Sequence, residues 1–128
     1  MDSLALQKKL RMTDDQEKLI MNAPENYLSA LSTSYDQQIQ TGKQYNFVQI
    51  FAEQLAELKR LAKLVSDSAK YDCVFWFCYP KQSGKIKSDL KRETVWEAMQ
   101  LIGLRPVSQI AIDETWSALR ARPPELVK

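Results

Sequence analysis

The chain contains no histidine. That excludes a Ser–His–acid triad, imidazole metal ligands and the side chain that ordinarily titrates near neutral pH. Cysteine is nearly absent too, with only Cys73 and Cys78. On one strand, five residues at about 3.3 Å each would hold these two about 17 Å apart. A disulfide needs Cα atoms within about 7 Å, so they cannot pair with each other. They read as reduced core residues of a reducing compartment. Two separated thiols without histidine do not make a structural zinc site. Glycine is scarce, at three in 128 residues, and neither GxxxxGK[ST] nor GxGxxG occurs. Nowhere do about 18 apolar residues run together, so no membrane span is expected. The opening MDSLALQKKL lacks the apolar core of a signal peptide, and the expected location is the cytoplasm.

What the chain does have is charge in one place. Residues 79–92, YPKQSGKIKSDLKR, hold four lysines and an arginine against one acid. That is +4 in a chain of formal net charge +2, so the rest is slightly acidic. A global coating of nucleic acid is therefore not expected. Just before this segment lies the most apolar run, CVFWFCY at 73–79. Such a run, apolar at every position, fits a central strand covered on both faces.

The rest of the pattern is that of one domain spanning 1–128, with 1–15 as a helix-and-turn lead-in and 123–128 as a loose tail. Strands are expected at 18–22, 36–40 (weakly), 45–51, 73–79, 107–112 and 116–121. Leu4, Leu6 and Leu10 suggest a short helix. A second helix opens after Asn22, with Asn22 as cap, Pro24 in the first turn and Glu25 in capping-box position, and runs to about residue 31. Leu55, Leu58, Ala62 and Val65 mark a helix over 52–66. Ser88 or Asp89 caps another over 89–102, carrying Val95, Met99 and Ile102. Gly103 and Pro106 stop it. Residues 113–115, DET, join the last two strands as a hairpin.

This order predicts a three-layer, Rossmann-like α/β sandwich. Its sheet is expected to be mostly parallel, with about six strands and an antiparallel C-terminal strand. Numbering those strands one to six along the chain, the expected order is 2-1-3-4-6-5. The layout resembles a truncated methyltransferase-like Rossmann arrangement.

Ligands of open α/β sheets bind beyond the carboxyl ends of the strands, where strand order reverses. A dinucleotide or S-adenosylmethionine would want glycines after the first strand. The chain has NAPENY there, with no glycine, a proline lacking N–H, and an acid that repels phosphate. No such cofactor is expected. The 79–92 loop is the better candidate. Lys81, Lys85 and Lys87 supply charge, Ser83 and Gly84 offer exposed backbone N–H groups, and Ser88 and Asp89 precede a helix N-terminus. The plain alternative is a solvated lysine loop balanced by Asp113 and Glu114 across the same edge. Tyr79, two residues before Lys81, forms with it a conceivable proton-transfer pair. Trp96 and Trp116 read as core or groove residues. Arg120 and Arg122 share a strand face and suit pairing with Asp113 or a helix acid. Ser83, Ser88 and Ser117 have no base to activate them.

The C-terminal half, YPKQSGKIKSDLKRETVWEAMQLIGLRPVSQIAIDETWSALRARP, resembles the signature region of a bacterial domain-of-unknown-function family. The YPK, KSDL, GLRPV and AIDETWSALR runs carry the resemblance. NAPENYL resembles that family's strand-to-helix turn, with Asn26 where glycine is common. The resemblance implies a Rossmann-like layout and no particular reaction. It marks Lys81, Lys87, Ser88, Asp89, Trp96, Asp113, Glu114, Trp116 and Arg120 as positions matching the motif.

The leading expectation is a non-catalytic cytosolic domain that grips an anionic small molecule, or an acidic group of a protein partner, with Lys81, Lys85, Lys87 and the neighbouring backbone. Asp113 and Glu114 would orient the lysines. The alternatives are a degenerate methyltransferase-like enzyme, or a structural protein that forms a homodimer through an apolar strand edge or helix face.

Overall fold

The computed structural model describes residues 3–82 and 85–127. Helix α1 (Ser3–Lys9) leads to β1 (Lys18–Met21), α2 (Glu25–Ser29) and β2 (Tyr45–Phe51). Helix α3 (Leu55–Ser66), β3 (Ala69–Pro80) and α4 (Arg92–Gln100) follow. The hairpin strands β4 (Arg105–Ala111) and β5 (Trp116–Arg122) close the sheet. Its order is β1-β2-β3-β5-β4. Strands β1, β2 and β3 run parallel, while β5 is antiparallel to both β3 and β4. Strand β4 therefore points the same way as β3.

Alternation along the strands sorts side chains to two faces. Val48, Ile50, Phe75 and Phe77 meet Leu58, Leu61 and Val65 of α3 and Val95 and Met99 of α4. Phe47, Phe51, Trp76 and Cys78 meet Leu6 and Leu10 of the α1 segment and Tyr27 of α2. The sheet thus has helices on both sides, which is why β2 and the second half of β3 are apolar at nearly every position. Cys73 and Cys78 fall on opposite faces, both buried and free.

Several expected elements change. No strand forms over 36–40. A single parallel bridge, Leu19 to Asp36, stands there instead. The Asp36 carboxylate accepts from Lys43 Nζ at 2.8 Å and the Tyr45 hydroxyl at 2.6 Å. Those bonds pull the segment into a loop, and Gln37, Gln38 and Gln40 offer no apolar face to hold it in a ladder. The sheet therefore has five strands rather than six. It is mixed, with two parallel and two antiparallel pairs, rather than mostly parallel.

Asn22 does not cap α2. It has a left-handed φ of 64°, and its side chain donates to Phe51 O at 2.8 Å. The helix starts at Glu25 behind Pro24 and ends at Ser29. Helix α4 starts at Arg92 rather than 89, where Thr94 Oγ1 accepts the Lys91 N–H at 2.9 Å. Gly103 closes it as expected, with φ 73° and N–H groups of Gly103 and Leu104 donating to Gln100 O and Met99 O. Trp96 lies on the solvent side of α4, 42% exposed, and not in the core. It sits about 100° around the helix from Val95, off the apolar stripe. The tail carries a 3-10 turn, Pro124–Leu126, with the Tyr71 hydroxyl donating to the Glu125 carboxylate.

Candidate anion site

The carboxyl end of β3 delivers Pro80 and Lys81 to the sheet edge. The Lys81 N–H donates to Thr115 O at 2.8 Å, so the β4–β5 turn and the lysine segment meet there. The Ala52 N–H donates to Cys78 O at 3.1 Å and brings in the end of β2.

The far side of the segment is pinned to the β2–α3 turn. The Ser88 hydroxyl donates to Glu53 O and accepts the Leu90 N–H at 3.0 Å. Asp89 Oδ1 accepts the Leu55 N–H at 2.7 Å. Gln54 Nε2 donates to Lys87 O at 3.1 Å. Helix α3 has no cap of its own, since the Gln54 side chain makes no cap bond. Asp89 supplies one from another segment and satisfies a free first-turn N–H. Leu90 is buried beneath. Ser88 and Asp89 therefore shape the loop rather than cap α4, and the Ser88 hydroxyl is already engaged.

Lys81, Lys85 and Lys87 line one open depression of about 410 Å³, with Pro80, Ile86 and Ser88 in its wall. Lys85 and Lys87 are exposed and Lys81 is half-buried. Ser83 and Gly84 lie outside the described residues. Lys81 also lines a neighbouring depression with Asp113, Glu114 and Thr115. A third, of about 390 Å³, holds Tyr79, Gln109 and Ser117 beside Lys81 and Lys91. Lys81 is thus the common wall of all three.

Asp113 has a structural task. Its Oδ1 accepts the N–H groups of Thr115 and Trp116, each at 2.8 Å, and holds the hairpin turn. Among the described residues, neither Asp113 nor Glu114 forms an ion pair with a lysine. Tyr79 is 4% exposed and packs with the α3/α4 core; burial pushes its hydroxyl pKa up. Trp116 meets Phe51 edge-on at 5.3 Å. Arg120 does not join the site. It stands opposite Trp76, four residues along β5 from the turn, so it cannot pair with Asp113. Arg122 pairs instead with Asp72, at 2.9 and 2.8 Å.

On the α2 side the same edge is filled. The Tyr27 and Phe51 rings lie 5.1 Å apart, and the Tyr27 hydroxyl donates to Gln49 Oε1 at 2.7 Å. Sequence reasoning missed Gln49, Gln54 and Lys91. Only the capless start of α3 hinted at an outside acceptor. No group of three or more potential metal ligands occurs among the described residues. No helix among them is long and apolar enough to cross a membrane.

No protein-family model matches the chain, so the family resemblance of its C-terminal half gains no support. No curated protein matches it either. Solved structures do. An S-adenosylmethionine-dependent methyltransferase from Clostridium acetobutylicum superposes with a TM-score of 0.53 at 8% identity, covering 94% of this chain and 88% of that one. The tRNA methyltransferase TrmK of B. subtilis gives 0.54 at 6% identity, over 99% and 70%. Streptomyces venezuelae DesVI gives 0.52 at 7% identity, over 95% and 90%. The fold is methyltransferase-like. At such identities the likeness is one of fold alone.

Proposed function

We propose that the chain is a methyltransferase-fold domain that binds an anionic small molecule at the carboxyl edge of its sheet and does so without catalysing a reaction. The observation that supports this most is the single depression walled by Lys81, Lys85 and Lys87. Three ammonium groups around one hollow repel each other, and an anion placed among them relieves that repulsion. The backbone beneath is tied down by Ser88, Asp89 and Gln54, so less ordering is left for binding to impose. A thermal-shift screen of nucleotides, sugar phosphates and acyl-CoA compounds tests the reading. A ligand present at about 100 times its Kd stabilises the native state by about 2.7 kcal/mol. Lys81→Glu combined with Lys87→Glu removes that shift. If the charge reversal leaves every ligand's effect unchanged, the reading fails.

Methyl transfer is the second reading, and the fold likeness favours it. S-adenosylmethionine would need the turn after β1, where this fold places its cofactors. The residues there do not fit it. The Asn22 side chain is committed to Phe51 O, Pro24 has no N–H to offer, and α2 is only five residues long with Glu25 in its first turn. Tyr27 and Phe51 fill the space behind. Calorimetry with S-adenosylmethionine decides between the readings. Saturable binding would replace the first reading, and no heat retires the cofactor.

A further inference from the structure

A second cluster of positive charge, remote from the lysine depression, lies on the α1 face of the sheet. Arg120 projects there, opposite Trp76 in the β3–β5 ladder. The Trp76 indole donates to Leu10 O at 2.8 Å. That bond fastens the end of the α1 segment to the sheet and sets the next residue, Arg11, beside Arg120. Arg11 has a left-handed φ of 60°, and its carbonyl accepts from Gln16 Nε2 at 2.8 Å. Arg122, two residues along β5, shares the face of Arg120. The charges of Arg11 and Arg122 both act on Arg120.

Among the described residues, internal compensation is incomplete. Asp72, itself at a left-handed φ of 53°, is the acid beside these arginines, and Arg122 occupies both of its oxygens. Glu125, which acts on Tyr71 together with Asp72 and Arg122, accepts from the Tyr71 hydroxyl. Arg120 Nε is buried and has no hydrogen-bond partner among the described residues. Burial first, then repulsion from Arg11 and Arg122, holds the Arg120 pKa below its ordinary value. A buried N–H without an acceptor is destabilising, and it calls for a partner such as an ion. An oxyanion satisfies both wants at once. Two of its oxygens match the guanidinium fork, and its charge offsets the surplus.

We propose that Arg11 and Arg120 form an oxyanion site on the α1 face, in which the Arg120 fork grips a phosphate or carboxylate group and Arg11 flanks it, with Arg122 held back by Asp72 at its border. The site does not depend on the lysine depression, since it uses none of the same residues and lies on the sheet face rather than at its carboxyl edge.

The probe is inorganic phosphate, with acetate as the carboxylate arm and chloride at matched ionic strength as control. The readouts are the arginine Nε–H resonances of the isotope-labelled full chain and its unfolding temperature. The Arg120 Nε–H resonance is expected to shift saturably with phosphate or acetate and not with chloride. Arg11→Gln should weaken the apparent affinity tenfold or more, and Arg120→Gln, which removes the reporter itself, should abolish the rise in unfolding temperature that either anion gives the parent over chloride. The double substitution Lys81→Glu and Lys87→Glu should leave the Arg120 shift in place, even if it removes binding at the lysine depression. A saturable response to acetate alone assigns a carboxylate, and tighter phosphate assigns a phosphate. Should Arg120→Gln fail to fold, Arg11→Gln at its exposed position carries the test. No saturable shift with either anion, or one that Arg11→Gln leaves unchanged, overturns the proposal.

Discussion

Removing one oxygen atom from Tyr27 tests how the α2 side of the carboxyl edge is held. Tyr27 and Gln49 are buried, and the Tyr27 hydroxyl donates to Gln49 Oε1 at 2.7 Å. The Gln49 amide in turn donates to Cys78 Sγ at 3.4 Å, a weak bond. Tyr27→Phe keeps the ring against Phe51 and deletes the donor. Gln49 Oε1 is then left in the core without a partner or access to water. Leaving a buried acceptor alone costs about 1–3 kcal/mol. At this chain length about 1 kcal/mol corresponds to about 4 °C, so the unfolding temperature should fall by about 4–12 °C. Adding Gln49→Leu removes the stranded acceptor. The double variant should therefore be less destabilised than the two single losses summed, with a coupling of about 0.5–3 kcal/mol. Thermal and urea unfolding of the four proteins give the cycle. A Tyr27→Phe protein within about 0.5 kcal/mol of the parent, or strictly additive losses, would refute the reasoning, because either result means that the oxygen is not stranded.

Three further outcomes follow from the same structure. The Asp36 carboxyl is held below its usual range by Lys43 and Tyr45, and that of Asp72 by Arg122. A lowered folded pKa gives stability that is present above the ordinary value of 3.8 and lost as pH falls through the folded value. Urea midpoints of Asp36→Asn and Asp72→Asn should therefore lie below the parent's at pH 7 and converge with it below pH 3.8; a gap that persists in acid counts against this. Gly103→Ala meets no atom within 4 Å, yet it places a Cβ at φ 73°, so it should cost about 1–2 kcal/mol from backbone strain alone; a thermal melt measures it. Burial pushes the Cys73 thiol up to about 12 and Cys78 higher still, so at pH 8 neither should react with an aromatic disulfide until denaturant is added.

The parts of the fold legible in the sequence were those written in local pattern. The stripe of α3, the alternation of β2, the apolar length of β3 and the Gly103 stop each need only neighbours along the chain to be read. The meeting of residues 113–115 with the lysine segment was also legible, because a hairpin strand parallel to β3 brings its turn to the same edge. What failed was decided by distant partners. The strand at 36–40 is lost to the bonds from Lys43 and Tyr45. Asp89 serves α3 and not α4, because Leu55 lies within 2.7 Å in space though far off in sequence. Arg120 could not reach Asp113, because β5 carries it away from the turn toward Trp76. At the candidate site, lysine density located the depression, while the pins that shape it showed no local signature.

The place of β5 in the sheet has a consequence for how the protein assembles. The last strand along the chain is not an edge strand but sits between β3 and β4. Until it arrives, β3 has an open flank and β4 has no strand partner at all. An emerging chain ending near residue 111 would expose the Phe75, Phe77 and Trp76 strand as a bare template for other chains. Productive closure waits for contacts far apart in sequence, which slows folding. The same order of events makes chaperone engagement during synthesis most valuable just before residues 116–122 emerge.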